Sequence, residues 1–291
     1  MKEKTKLLRS LAGIVVSLLV VYVAISAGSF MSADSQQITD NTAPQGIASS
    51  DTVLPISWGS LGKQMVAAGV IDERKFRSLY EYRGGLRDQE ISMLSGDQHD
   101  SVVISQENAG VLLNLFWAFG LSNKNTILTE GPMTSEKYGG EAGRFASTAG
   151  WQLAQGNPMD HYAKHSFVSL TPQEQERVKN VTQNIYRPCC GNSTHFPDCN
   201  HGMAMLGMLQ LLAHEGLSEA EMYEVALQVN SYWFPETYAN IAKLFEQSGV
   251  SWREVDSKVV LGPRFSSAQG YQQILQALDS SGRASGVSCG V

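Results

Sequence analysis

The chain has 291 residues, 43% hydrophobic and 17% charged, with a formal net charge of −6. That supplies enough apolar material for a core and too little charge for a disordered chain. No dense Lys/Arg stripe occurs, which argues against a nucleic-acid partner.

Residues 1–9 carry Lys2, Lys4, Lys6 and Arg9 against Glu3, and no charge follows until Asp34. Between them Leu11–Ala27 reads LAGIVVSLLVVYVAISA, and the next cation after Arg9 is Lys63. A basic flank before an apolar run, with none just after it, keeps the N-terminus in the cytoplasm and sends the rest outside. Ala24 and Ser26 offer a small-residue cleavage site, as in a signal peptide. The run is long for that, and an uncleaved anchor needs about 20 apolar residues, so the anchor is the preferred reading. Residues 1–31 are thus read as a basic cytoplasmic tip and a single-pass helix, held in the cytoplasmic membrane through residues 11–31. The bulk of the chain is then extracytoplasmic. Residues 32–54 are small, polar and without hydrophobic period, which reads as a flexible linker.

Residues 55–279 are expected to form one mainly α-helical globular domain. Ser60 opens a helix through Ala68. Asp72 opens another that carries Phe76, Leu79 and Tyr80 and stops at Gly84-Gly85. Val102–Ile104 is the only strand expected. Asn108–Phe119, NAGVLLNLFWAF, is apolar nearly all round, so it reads as a buried central helix with Gly120 as its stop. Thr171-Pro172-Gln173-Glu174 is a capping box with proline at the first helical position, opening a helix to about Ile185. Residues 187–199 form a loop, followed by a helix from about Asn200 to Glu215. Ser218-x-x-Glu221 opens the next, Pro235 the one after, and Ser251-x-x-Glu254 repeats the box. Ser267–Leu278 is the last helix, and residues 280–291 are a Gly/Ser-rich flexible tail containing Cys289.

The chemistry concentrates between Cys189 and His201. Three of the four cysteines and two of the six histidines fall in those 13 positions. Thiolates select copper(I), zinc and similar soft ions, and imidazole suits zinc and copper. Cys189, Cys190 and Cys199, with His201 or His195 completing the set, are the expected ligands of a soft metal or metalloid ion such as copper or zinc. Cys199 should sit at a helix N-terminus, where backbone N–H groups stabilise a thiolate. The spacing lacks the C-x2-C of zinc fingers. Two alternatives use the same residues. One is thiol–disulfide exchange, with Cys289 as a resolving or carrier thiol. The other is a plain binding or scaffold domain stapled by a disulfide such as Cys190–Cys199. No catalytic residue is assigned.

Two neighbouring patterns bear on the site. His201, Met205, Met208 and Leu212 share one helical stripe, which reads as core packing before copper sensing. His161 and His165 stand four apart, but no Glu follows His161 to complete H-E-x-x-H, so surface histidines are the preferred reading.

Tyr186–Met203, together with Asn114–Asn125 (NLFWAFGLSNKN) and Asn230–Pro235 (NSYWFP), resembles an uncharacterised family of bacterial membrane-anchored proteins. The likeness runs from about Trp58 to Phe245. It implies a bacterial origin and makes the cysteine cluster, Cys-Cys followed by Phe-Pro-Asp-Cys-Asn-His-Gly, the family signature. It implies no activity.

Overall fold

Several helix starts in this chain are set by side-chain caps. The computed structural model describes residues 50–284, with side chains through residue 279. Helix α1 is Leu61–Ala67. At the start of α2, Glu73–Ser78, the Asp72 carboxylate accepts from the N–H groups of Arg74 and Lys75 at 3.0 and 3.2 Å. Helix α3 is Asp88–Ser95, α4 is Ala109–Ser122, α5 is Thr126–Glu130 and α6 is Ala146–Ala149. Two of the three expected capping boxes form. Thr171 and Glu174 exchange bonds at the start of α7, Pro172–Thr182. Ser218 and Glu221 do so at the start of α9, Glu219–Trp233, which follows α8, Asn200–His214. Each such cap is worth about 1 kcal/mol. Pro235 opens α10, Pro235–Gln247, as its fixed φ suits a first helical position. Three helices close the order: α11, Ser257–Leu261, α12, Pro263–Ser266, and α13, Ala268–Ala284.

Several expectations need correcting. The strand at Val102–Ile104 exists, and it pairs antiparallel with Thr52–Leu54, the last residues of the stretch read as linker. Thr52–Leu54 ends a small, polar stretch and lacks the unbroken β-branched run that marks Val102–Ile104. Ser251 caps only a short 3-10 turn, Trp252–Glu254, and Asp256 caps the helix that follows. The last helix runs past Leu278 to Ala284. The expected membrane segment, most of the linker and Cys289 lie outside the described residues. Among the described residues no helix is long and apolar enough to cross a membrane.

The largest correction concerns Gly120. It does not stop α4; the helix continues to Ser122. Its role is close approach. Helices α4 and α8 form the most extensive pairing in the fold. At their crossing Gly120 faces Gly207. A Cβ on Gly120 would overlap the Met203 carbonyl oxygen and stand 3.0 Å from the Gly207 nitrogen. One on Gly207 would overlap the Phe116 carbonyl oxygen and stand 2.8 Å from the Gly120 nitrogen. The two backbones therefore touch, and α4 is buried along nearly its whole length, Leu115 and Trp117 included. A buried polar clamp fixes the register: Asn123 Nδ2 donates to Gln210 Oε1 at 3.0 Å. Helices α6, α7 and α9 pack around α8. The described chain is a mainly α-helical domain, with thirteen α-helices against two short strands.

Replacing Gly120 or Gly207 with Ala should lower stability in chemical denaturation by about 1–3 kcal/mol or more, because backbone must move. Gly110, in the same α4, has nothing within 4 Å of a built Cβ. Its change to Ala should be neutral or stabilising by up to about 1 kcal/mol. Equal effects at all three positions would contradict the close crossing.

Candidate metal centre

The segment between α7 and α8 is irregular but firmly tied. Its N–H groups at Thr194 and His195 donate to the carbonyls of Ile185 and Thr182, and its Cys190 carbonyl accepts from Ala268 at the start of α13. Asp198 offers its carbonyl to Ser147 in α6. Phe196 stacks at an angle on Tyr138 and Phe145, with centroids at 4.7 and 5.2 Å. The loop is thus an ordered platform built on four elements.

Its centre is Arg187, which is 1% exposed. A buried cation must be paired and hydrogen-bonded. Arg187 Nη1 donates to the Asn192 carbonyl at 3.0 Å. Nη2 donates to the Phe196 carbonyl at 2.9 Å and to Asp198 Oδ1 at 2.6 Å. Nε donates to Cys199 Sγ at 3.0 Å. Asn192 Nδ2 in turn holds Asp198 Oδ2 at 2.8 Å. The guanidinium lies flat against Gly202 in the first turn of α8. A Cβ there would overlap Cζ and stand 2.7 Å from Nε.

Three sulfur atoms gather beside this cation. The Sγ atoms of Cys189, Cys190 and Cys199 all lie within 4.8 Å of one another, close enough to hold a metal ion. None of the three is in a disulfide. The Sγ atoms of Cys189 and Cys199 lie 3.5 Å apart, within hydrogen-bond distance. Cys189 is exposed; Cys190 and Cys199 are half-buried.

Cys199 is the N-cap of α8. Its extended backbone lets Sγ accept from the Gly202 N–H at 3.4 Å. Hydrogen bonds from the Cys189 and Cys190 thiols hold Cys199 well below the ordinary thiol range, and the Arg187 charge helps, against the opposing pull of burial. Cys189 is pushed up by its bonds to Cys190 and Cys199. Cys190 also rises: its bond with Cys189 opposes the shift, but its bond with Cys199 and burial outweigh it. Cys199 is thus the sulfur favoured as a thiolate, with the Arg187 guanidinium, the Gly202 N–H and the Cys189 sulfur around it.

The comparisons with known proteins return nothing: no family model, no curated protein and no solved structure matches the chain. Chemistry alone must carry the assignment.

The two expected imidazoles are placed elsewhere. Among the described residues neither His201 nor His195 joins the group of three sulfurs. The His201 ring packs on Phe234 and Trp233, with centroids at 4.5 and 5.8 Å. Burial lowers its pKa to about 4, so it is neutral in ordinary buffers. Burial also lowers His195, with Lys179 adding to the effect. Met203, Met205 and Met208 are fully buried in the core, as the packing reading expects. His161 and His165 are not surface residues on a helix. His161 is buried, and its Nδ1 lies 3.2 Å from His165 Nε2 in an irregular turn. Arg187, Asn192, Asp198 and Gly202 are site residues that sequence reasoning left unassigned. The available signals were an arginine beside a cysteine pair and a glycine three residues after an N-cap cysteine.

Gly202→Ala should displace the guanidinium and raise the pH at which Cys199 becomes reactive. Alkylation of Cys199 by iodoacetamide, followed by mass spectrometry across pH, reads this. The midpoint in the variant should lie above that of the unaltered protein. An unchanged midpoint would show that Arg187 does not control the thiolate.

Proposed function

We propose that this chain is a thiophilic-ion-binding protein that holds a soft metal or metalloid ion between Cys189, Cys190 and Cys199. The observation that carries the reading is the convergence of three unbridged sulfurs within 4.8 Å. Converging thiols select soft ions over hard ones. The first donor, Cys199, is already favoured as a thiolate, which a ligand sulfur must become. The proposal places the site on the outer side of a cytoplasmic membrane, tethered through residues 11–31. The basic flank before Leu11–Ala27 supports that placement.

The 3.5 Å separation of Cys189 and Cys199 favours a second reading, thiol–disulfide exchange. The Cys199 thiolate and Cys189 thiol would lose two electrons and one proton to a disulfide oxidant and join as a disulfide. Cys199, stabilised as a thiolate, is also the better leaving group when that bond reopens. Metal analysis and free-thiol counting on anaerobically purified protein separate the two. Bound ion with reduced thiols supports the first reading, and ion-free thiols that cycle support the second.

Cys199→Ser keeps the shape and replaces a soft donor with a hard one. It should abolish the sulfur-to-metal absorption band that copper(I) titration produces, while far-ultraviolet circular dichroism stays helical. His201→Ala should leave that band nearly unchanged, since the ring faces Phe234 and Trp233. Loss of stability on Cys199→Ser, with no ion dependence in the unaltered protein, would remove the reading.

A further inference from the structure

The three sulfurs have a particular donor count and a particular neighbour, and together these narrow the ion. Among the described residues no histidine nitrogen or carboxylate oxygen completes the group to four. Structural zinc sites close with four protein ligands. Here the donor set is three sulfurs and nothing else.

The neighbour is a cation that cannot leave. Arg187 uses its hydrogen bonds on Asn192, Phe196, Asp198 and Cys199, and Gly202 leaves room for it alone. Its partner charge is the Asp198 carboxylate, whose Oδ1 lies 3.9 Å from Cys190 Sγ. Arg187 divides its single positive charge between Asp198 and Cys199, so it does not neutralise a centre of three thiolates. Three thiolates around copper(I) would leave a net charge of −2, and around zinc −1. Uncompensated charge in a half-buried site is unfavourable. A trivalent centre with three thiolates leaves none.

Resting on the ion-binding reading above, we propose that the preferred ligand is a trivalent metalloid oxyacid of the arsenous acid class. The neutral acid As(OH)3 meets three sulfurs. Each sulfur replaces one hydroxyl, three As–S bonds form as three As–O bonds break, and three waters leave. Each departing hydroxyl leaves as water with a proton from the incoming thiol, or from solvent where that sulfur is already a thiolate. No electron changes hands. The product is three-coordinate with a lone pair in the fourth direction, so it needs no further donor. Exposed Cys189 is where the acid first gains access, and the half-buried Cys190 and Cys199 complete the set.

The test is competition on the full-length reduced protein, with arsenite, zinc(II) and copper(I) as separate probes, followed by calorimetry and protection of thiols from alkylation. Arsenite should bind one to one, protect all three cysteines and exceed zinc(II) in affinity by about ten-fold or more. Cys190→Ser should weaken arsenite by about a hundred-fold and copper(I), which accepts two thiolates, by much less. Tighter binding of copper(I) or zinc(II), with arsenite failing to displace it, would overturn the metalloid assignment and leave the ion-binding reading standing. Binding of none of the three probes by folded, reduced protein would overturn both.

Discussion

Everything distinctive about this molecule depends on one buried guanidinium. Arg187 is almost wholly out of water, and its charge is tolerable only because four acceptors reach it. Those acceptors come from residues 192 to 199, so satisfying Arg187 folds the loop. The folding brings the cysteine pair beside it back toward Cys199. Removing one partner of such a buried pair usually costs about 3–5 kcal/mol, which ties the loop strongly to this arrangement.

The loop needs a fixed wall to close against, and α8 provides it. The crossing of α4 and α8 is so close that only glycine fits on either side, at Gly120 and Gly207. The buried Asn123–Gln210 bond holds the two helices in register. The N-terminus of α8 is thereby held in place, and with it the Cys199 cap and the Gly202 shelf under Arg187. Core packing and site chemistry are coupled through a single helix. Its methionines belong to the packing, and its first turn to the chemistry.

Local signals in the sequence were legible where the physics is local. Thr171 with Glu174, Ser218 with Glu221, and Pro235 mark helix starts because each bonds or constrains its own first turn. The cluster of cysteines was visible because scarce residues stood together. What was not legible depends on distant partners. Gly120 looked like a stop because glycine disfavours helix, and its true reason lies 87 residues away at Gly207. His201 looked like a ligand because it sits two residues from Cys199, yet the turn of α8 points its ring at Phe234 and Trp233. Arg187 looked like an ordinary loop cation because nothing in its immediate sequence says that it will be buried. The helical spacing of His161 and His165 misled because the 3-10 turn Pro158–Asp160 ends before them and residues 161–165 form no helix.

The proposed function grows out of that geometry. Three thiols, one already favoured as a thiolate, stand together at the end of a rigid helix with no imidazole among them. The most direct check is X-ray absorption on anaerobic protein carrying one equivalent of copper(I). A first shell made of sulfur alone is the outcome this account predicts. A shell with imidazole nitrogen, or one without sulfur, would contradict it.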